Sequence, residues 1–280
     1  MSVALAYAVF IAMAGTYAWL AAIAWKGRKN GPVRLQADPF AALLLWPPAW
    51  KRAQPILDKA RIPLALLGGG TCSRDMLVAW AAESVGIGYF ALAAASLLAA
   101  LADTPALLAL GAVVGVCLPG LRAKELAGQV KRRKTSIAME LPELLSKLLL
   151  MVNAGENVMR ALSRVAEQKR GETNPLYAEL NAAIESMKRG ETLAAALEEM
   201  GRRCAVPEVK LFATTVLINA RRGGDAFAPA LRELTRQMWE KRKALARTLG
   251  EQASSRLAFP LTVIFLLIMV LVGTPAVFMM

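Results

Sequence analysis

Long apolar runs without charge alternate along this chain with segments in which apolar residues recur at helical spacing. Residues 3–25 contain no charged side chain, and these 23 residues are enough to cross a bilayer. Residues 257–280 form a second uncharged run, and residues 77–121 hold two apolar segments joined by the turn sequence Asp103-Thr104-Pro105. The pattern predicts a polytopic membrane protein with about four transmembrane helices: one at 1–25, a hairpin of two at 77–121, and one at 257–280.

Two of these assignments have alternatives. The first run could be a cleaved signal peptide, but a signal peptide carries positive charge before its apolar core, whereas Lys26, Arg28 and Lys29 follow this run. A permanent span is therefore favoured. The second arm of the hairpin, residues 105–121, has only 17 residues, which is the lower limit for a span. A re-entrant hairpin remains an alternative.

The basic residues are confined to two segments. Nine of the 34 Lys and Arg residues lie in 26–76 and the other 25 lie in 122–256. The positive-inside rule places both segments in the cytoplasm and both termini on the other side of the membrane. The net charge of +13 could also suggest nucleic acid, but no basic motif interleaved with aromatic residues accompanies it. Anionic membrane lipids are therefore the expected partner of this charge, and nucleic acid is not.

The two cytoplasmic segments have different patterns. Residues 26–76 predict short helices broken by Pro63, with Trp46 and Trp50 suited to a membrane interface. Residues 122–136 predict a basic juxtamembrane helix. It carries a patch expected to lie on the membrane surface, formed by Lys131, Arg132, Arg133 and Lys134.

Residues 137–256 read as helix throughout and predict one cytoplasmic domain of six helices. The first carries the buried stripe Leu141, Leu144, Leu145, Leu148 and Val152. Asn157, Thr192 and Asp225 are the expected amino-terminal caps of later helices. The fifth helix, from Pro207, is apolar on every side and is expected to be the most buried. The sixth is expected to continue into the last span, and its apolar stripe is Phe227, Leu231, Leu234, Met238, Leu245 and Leu249.

A short phrase recurs three times in this region, as "AGENVMRAL" at 154–162, "RGETLAAAL" at 189–197 and "GGDAFAPAL" at 223–231. Its glycines are Gly155, Gly190 and Gly224, and the acids that follow them are Glu156, Glu191 and Asp225. We interpret each copy as a corner between helices, with a left-handed glycine and an acid at the positive end of the next helix. The corner acids are candidate contacts for a partner protein, although solvated helix caps would show the same pattern. The period near 34 residues also fits a tetratricopeptide repeat, whose Trp, Gly and Tyr landmarks are missing.

The sequence offers no chemistry of its own. It contains no histidine, no phosphate-binding G-x-x-x-x-G-K-[ST] motif, and three isolated cysteines. We therefore predict a protein that is not an enzyme and that carries no cofactor and no metal.

The stretches "ELPELLSKLLLMVNAGENVMRAL" and "GETLAAALEEM", with the region after Gly223, resemble the cytoplasmic domain of the type II secretion system F family. The motifs that carry the resemblance are the Ala-Gly corner (Ala154, Gly155), the Gly-x-[Ser/Thr]-Leu corner (Gly190, Thr192, Leu193) and the Gly-x-x-x-x-x-Ala-Leu entry to a long charged helix (Gly224, Ala230, Leu231). The whole-chain layout, with one such domain, resembles the platform proteins of tight-adherence (Tad) pili.

This resemblance implies a multi-pass protein of the bacterial inner membrane. Its implied partners are a paralogous platform subunit or a second copy, a cytoplasmic hexameric ATPase, and pilin subunits. The implied function is to couple the ATPase to pilin extraction and pilus assembly. Two alternatives remain from the sequence: a membrane-anchored helical-repeat scaffold or receptor unrelated to pili, and a small transporter.

Overall fold

A computed structural model of the protein describes residues 2–27, 38–44, 46–102, 105–222 and 224–278. In these ranges the chain forms ten α-helices and no strand, which confirms the predicted all-α class. The helices are α1 (Ser2–Gly27), α2 (Asp38–Leu44), α3 (Pro47–Leu67), α4 (Arg74–Leu101), α5 (Pro105–Asn153), α6 (Val158–Gln168), α7 (Pro175–Lys188), α8 (Leu193–Cys204), α9 (Pro207–Arg222) and α10 (Gly224–Phe278). They divide into a first unit, Met1–Lys134, and a second unit, Thr135–Met280.

In the first unit, α1, α2 and α4 pack around a cluster of aromatic rings. Phe40 of α2 is buried, and its ring centroid lies 6.4 Å from that of Tyr17 and 5.2 Å from that of Tyr89. The Tyr89 hydroxyl lies 2.6 Å from the Thr16 hydroxyl and also donates to the Met13 carbonyl. These contacts join α1 to α4 through both ring packing and hydrogen bonds.

The approach of α5 to α4 depends on glycine. A Cβ atom on Gly111 would stand 2.1 Å from the Cβ of Ala95, and one on Gly115 would stand 2.8 Å from the Cγ of Leu92. Neither distance is tolerable, so only residues without a side chain allow this approach. Small residues bring backbones together in the same way at interfaces between membrane helices.

The direction of α5 relative to α4 follows from two further contacts. Arg122 Nη1 lies 4.0 Å from Glu83 Oε2, while Gly111 meets Ala95 nearer the connection between the two helices. From residue 83 to residue 95 of α4, the contacting positions on α5 run backwards from 122 to 111. The two helices therefore form an antiparallel hairpin.

The structure corrects the prediction of short helices in residues 26–76. Residues 28–37 and 45 of this segment lie outside the described residues. α2 is short, but α3 has 21 residues and contains Pro55 and Pro63 in its interior. Each proline removes one amide donor from the helix. Leu57 and Leu64 of α3 are buried against neighbouring helices, and this apolar burial offsets the lost hydrogen bonds.

In the second unit, helical segments from α5 to α10 contribute to one hydrophobic cluster. The predicted stripe of α5 is confirmed, because Leu141, Leu144, Leu145 and Leu148 are all fully buried and Val152 packs against them. The segment 122–136 lies inside α5, which continues without a break to Asn153 because its Lys, Arg, Glu and Ala residues favour helix.

Two apolar patterns in the second unit are only partly buried. α9 was expected to be the most buried helix, but Leu211 is 44% exposed and Ile218 is 48% exposed. The buried stripe of α10 ends at Met238, and Leu249 is 45% exposed. In both helices, apolar residues continue beyond the part that the other described helices bury.

Two described helices are long and apolar enough to cross a membrane: α4, and the stretch Phe227–Leu271 of α10. A shorter apolar helix covers Tyr7–Ile23. These helices are consistent with a membrane protein. The number of four spans and the side of the membrane on which each segment lies stay predictions.

Candidate functional site

The corner at Gly155 is a Schellman turn. Gly155 has a φ of 86°, and its amide donates to the Val152 carbonyl over 2.9 Å, while the Glu156 amide donates to the Met151 carbonyl over 3.0 Å. A side chain is strained in this left-handed conformation, which explains the glycine. The predicted end of the helix at this corner is confirmed.

The corner at Gly190 repeats this geometry. Gly190 has a φ of 98°, its amide donates to the Met187 carbonyl over 3.0 Å, and the Glu191 amide donates to the Ser186 carbonyl over 3.1 Å. The repeated phrase in the sequence is thus, at these two places, a repeated solution for ending a helix.

Each of these corners leads into a capped helix. The Asn157 side chain accepts a hydrogen bond of 2.9 Å from the Met159 amide at the start of α6. The Thr192 side chain accepts one of 3.2 Å from the Ala195 amide at the start of α8. Both predicted caps are therefore confirmed.

The third corner is only partly described. α9 ends at Arg222 and α10 begins at Gly224. The side chains of residues 219–226, including Asp225, lie outside what the structure describes. The cap predicted for Asp225 therefore stays a prediction.

The corners lie together at one end of the second unit. Consecutive helices there are joined by short connections and alternate in direction. The Asn174 side chain donates to Ser136 Oγ over 3.2 Å, and Lys241 of α10 lies 3.1 Å from Glu208 in the first turn of α9. These contacts place the α6–α7 and α8–α9 connections at the end of the second unit where α10 extends beyond the core. The glycine corners at Gly155 and Gly190 are at the opposite end.

The corner acids differ in their surroundings. Arg164 Nη1 lies 2.7 Å from Glu156 Oε1, and the Glu156 side chain is only 15% exposed. Glu191 is exposed to solvent. The carboxylate of Glu156 is thus already engaged within the second unit, whereas that of Glu191 faces outward.

The predicted basic patch is also divided. Lys131 and Arg132 are exposed, while Arg133 and Lys134 are half-buried. Arg133 Nη1 donates to the Leu67 carbonyl at the end of α3 over 3.4 Å. Lys131 and Arg132 are therefore the members of the patch best placed to meet an external anion.

A polar cluster around Lys169, which the sequence analysis missed, joins α5 to the connection between α6 and α7. The Lys169 ammonium lies 2.5 Å from Glu172, 2.9 Å from Glu143 and 3.7 Å from Glu140. The Tyr177 hydroxyl donates to Glu140 Oε1 over 2.9 Å. Only the Lys169–Glu172 contact is local in sequence, and the other members of the cluster lie in α5 and α7, up to 37 residues apart.

The titration of these groups is shifted by their contacts. The hydrogen bond from Lys169 lowers the pKa of Glu143, and the hydrogen bonds to Glu172 and Glu143 raise the pKa of Lys169. Burial, followed by the hydrogen bond to Glu140, raises the pKa of Tyr177. These shifts move the pKa values of Lys169 and Tyr177 further from neutral pH, which suits a structural link better than proton transfer.

Among the described residues, no three His, Cys, Asp or Glu side chains are grouped so that they could hold a metal ion.

Residues 144–275 match the family model of type II secretion system (T2SS), protein F. The matched region begins in α5, contains all three glycine corners and ends within α10. No curated protein and no solved structure gives a match. Proteins of this family are membrane platform proteins of secretion or pilus machinery and are not known enzymes. Residues 144–275 are thus similar to the type II secretion system F family, and the apolar helices are consistent with an inner-membrane protein.

Proposed function

We propose that this protein is an inner-membrane platform subunit of a Tad-type pilus or a related secretion machine. In this role it couples a cytoplasmic hexameric ATPase to the extraction of pilin subunits from the bilayer. The second unit receives the motion of the ATPase and passes it to the membrane helices. A paralogous subunit or a second copy completes the platform.

The observation that carries this proposal is the continuity of α10. One helix runs from Gly224 to Phe278. Its residues up to Met238 are anchored in the core, and its residues from Leu257 to Leu271 are apolar and exposed. The 18 residues between these parts, 239–256, span roughly 27 Å at the helical rise of 1.5 Å per residue.

The exposed part of α10 is built to stay helical without a core. Lys243 Nζ lies 3.0 Å from Glu240 Oε1, three residues earlier in the helix. Such pairs stabilise helices that are polar on all sides. A stiff helix of this kind transmits a force along its axis, whereas a flexible linker would absorb it.

The position of the glycine corners also supports the proposal. They lie at the end of the second unit where α10 begins, opposite the end at which α10 extends beyond the core. In the predicted topology this end points away from the membrane, where a cytoplasmic ATPase would approach. Glu191 is exposed there and is the corner acid best placed for such a contact.

The test compares two insertions after Gln252 in the native host. Seven Gly and Ser residues would make α10 flexible at this point. Seven residues of Ala, Glu and Lys would add two helical turns and keep it stiff. We expect the flexible insertion to abolish pili and the helical one to retain them in part, with both variants folded and in the membrane. Normal piliation with the flexible insertion would show that α10 is not a lever.

Co-purification separates this function from the alternatives. A hexameric ATPase and a pilin that co-purify with the chain would support the platform function. Solute flux in proteoliposomes that contain the chain alone would support a transporter and count against it.

A further inference from the structure

An open groove lies between α8 and α9 in the second unit. Its volume is about 450 Å³, which is in the range of sites that hold several side chains of a ligand. The floor is apolar and the rim is charged. The floor residues are Leu197, Ala213 and Leu217, and the rim residues are Glu198, Arg202 and Lys210.

The groove follows from the tight connection between these helices. α8 ends at Cys204, the capping residue Ala205 has a left-handed φ of 51°, and α9 begins at Pro207. Further back along α8, a Cβ on Gly201 would lie 3.4 Å from the Cγ of Lys210, so the helices approach closely beside the connection. Two antiparallel helices joined in this way form a channel that can receive a third helix.

The outer face of α9 supports the presence of a partner on this side. Leu211 and Ile218 are exposed, and Thr214, which lines the groove, stands between them in sequence. α9 is therefore apolar on faces that the described chain does not cover. In an aqueous domain, exposed apolar side chains beside a groove are typical of a surface that a partner covers.

The charge at the rim indicates what kind of partner fits. Lys210 is exposed and has no ion-pair partner among the described residues. Arg202 is also exposed, and two hydrogen bonds of 2.7 and 2.6 Å to Glu199 hold its guanidinium group in place. Glu199 already neutralises Arg202 and Glu198 adds a negative charge on α8, so Lys210 on α9 is the cation left for a carboxylate of a partner.

We propose that this groove binds an amphipathic helix of a cytoplasmic protein partner, with apolar side chains in the groove and a carboxylate against Lys210. The inference rests on the proposed function, because it names a surface for the soluble partner of the platform. A second copy fits less well. The long exposed stretch of α10, residues 239–255, carries four basic and two acidic residues and would repel the rim.

The binding test uses the full chain in nanodiscs of zwitterionic lipid, with empty nanodiscs as the blank. The probe is a labelled 15-residue helical peptide with Leu at spacings of three and four, flanked by Glu. The control peptide has Lys in place of every Glu. We expect the acidic peptide to bind at least tenfold more tightly than the basic one, as measured by fluorescence anisotropy.

Variants locate the site. Lys210→Glu reverses the rim charge and Thr214→Trp fills the groove, and each should weaken binding of the acidic peptide at least fivefold. Lys243→Glu, an equal charge change on exposed α10, should alter it less than twofold. Equal affinity for both peptides, or an equal effect of Lys210→Glu and Lys243→Glu, would overturn the proposal. So would a change of oligomeric state in Thr214→Trp, which would identify a second copy as the occupant.

Co-purification from the native host separates the two proposals. If the ATPase co-purifies equally with wild type and Thr214→Trp, the groove is not its site, and the platform function stands. If no ATPase co-purifies with wild type, the platform function fails, and the peptide titration decides the groove independently. Loss of the ATPase in Thr214→Trp alone would support both.

Discussion

The ammonium group of Lys169 lies 2.9 Å from the carboxylate of Glu143, on a helix more than twenty residues earlier in the chain. The Lys169 side chain is 14% exposed, so its charge is largely removed from water and depends on the carboxylates around it. The same ammonium also contacts Glu140 of α5 and Glu172 after α6. Lys169 therefore links the α6–α7 connection to α5, in addition to the hydrogen bond from Asn174 to Ser136.

Replacing Lys169 by Met should destabilise the second unit by about 2 kcal/mol, because Glu140 and Glu143 would lose a partly buried counter-charge. The matched control is Lys188→Met. Lys188 also pairs with a glutamate, but it is 62% exposed, and its loss should cost less than about 0.5 kcal/mol. Urea unfolding of the full chain in detergent, followed by circular dichroism, measures both. Equal stability of the two variants would contradict the role given to Lys169.

Replacing glycine by alanine should change stability in opposite directions at the glycine corners and inside α10. Gly155→Ala and Gly190→Ala should each lower the free energy of unfolding by about 1 kcal/mol, because both positions need a left-handed backbone. Gly250 lies inside α10 with open space around it. Gly250→Ala should therefore leave stability unchanged or raise it. The same urea titrations would contradict this explanation if all three variants changed stability in one direction.

The corners show which features the sequence could predict. Gly155, Gly190, Asn157 and Thr192 act through hydrogen bonds to residues at most five positions away, so a local pattern contains the whole interaction. The apolar stripe of α5 was predictable for the same reason, since helical periodicity alone assigns its buried face.

Features that depend on distant residues were not predictable. The Lys169 cluster needs the fold to bring three segments together. The apolar residues of α9 indicate burial, but the sequence does not show that this chain covers only one of their sides. In α3, packing against α4 outweighed the local tendency of Pro63 to end a helix. The glycine contacts between α4 and α5 also required the structure, because GAVVG at 111–115 does not identify its partner residues.

The ion pairs of α8 predict a dependence of stability on pH. The hydrogen bonds from Arg202 and Arg203 lower the pKa of Glu199 from 4.5 to about 2. A lowered carboxyl pKa stabilises the fold above the unfolded-state pKa, and this contribution is lost as the pH falls towards the folded value. Glu199→Gln should therefore cost up to about 1 kcal/mol at pH 6. The difference from wild type should shrink as the pH is lowered from 4.5 towards 2. Urea titrations across this range measure it, and a difference that did not change with pH would refute the assignment.

The hairpin of α4 and α5 provides a test of close helix packing in the first unit. Gly115→Leu would place a side chain where even a Cβ meets Leu92 at 2.8 Å and the Gly88 carbonyl at 3.1 Å. We expect the helices to separate and the first unit to lose about 1–3 kcal/mol of stability, as in overpacked cores. Gly120 is the matched control, since it lies on the same helix with no atom within 4 Å of a Cβ. Thermal unfolding in detergent should show a lower melting temperature for Gly115→Leu than for wild type, and an unchanged melting temperature for Gly120→Leu. If the two variants unfolded at the same temperature, α5 would not rest against α4 at Gly115, and the antiparallel hairpin would need another interface.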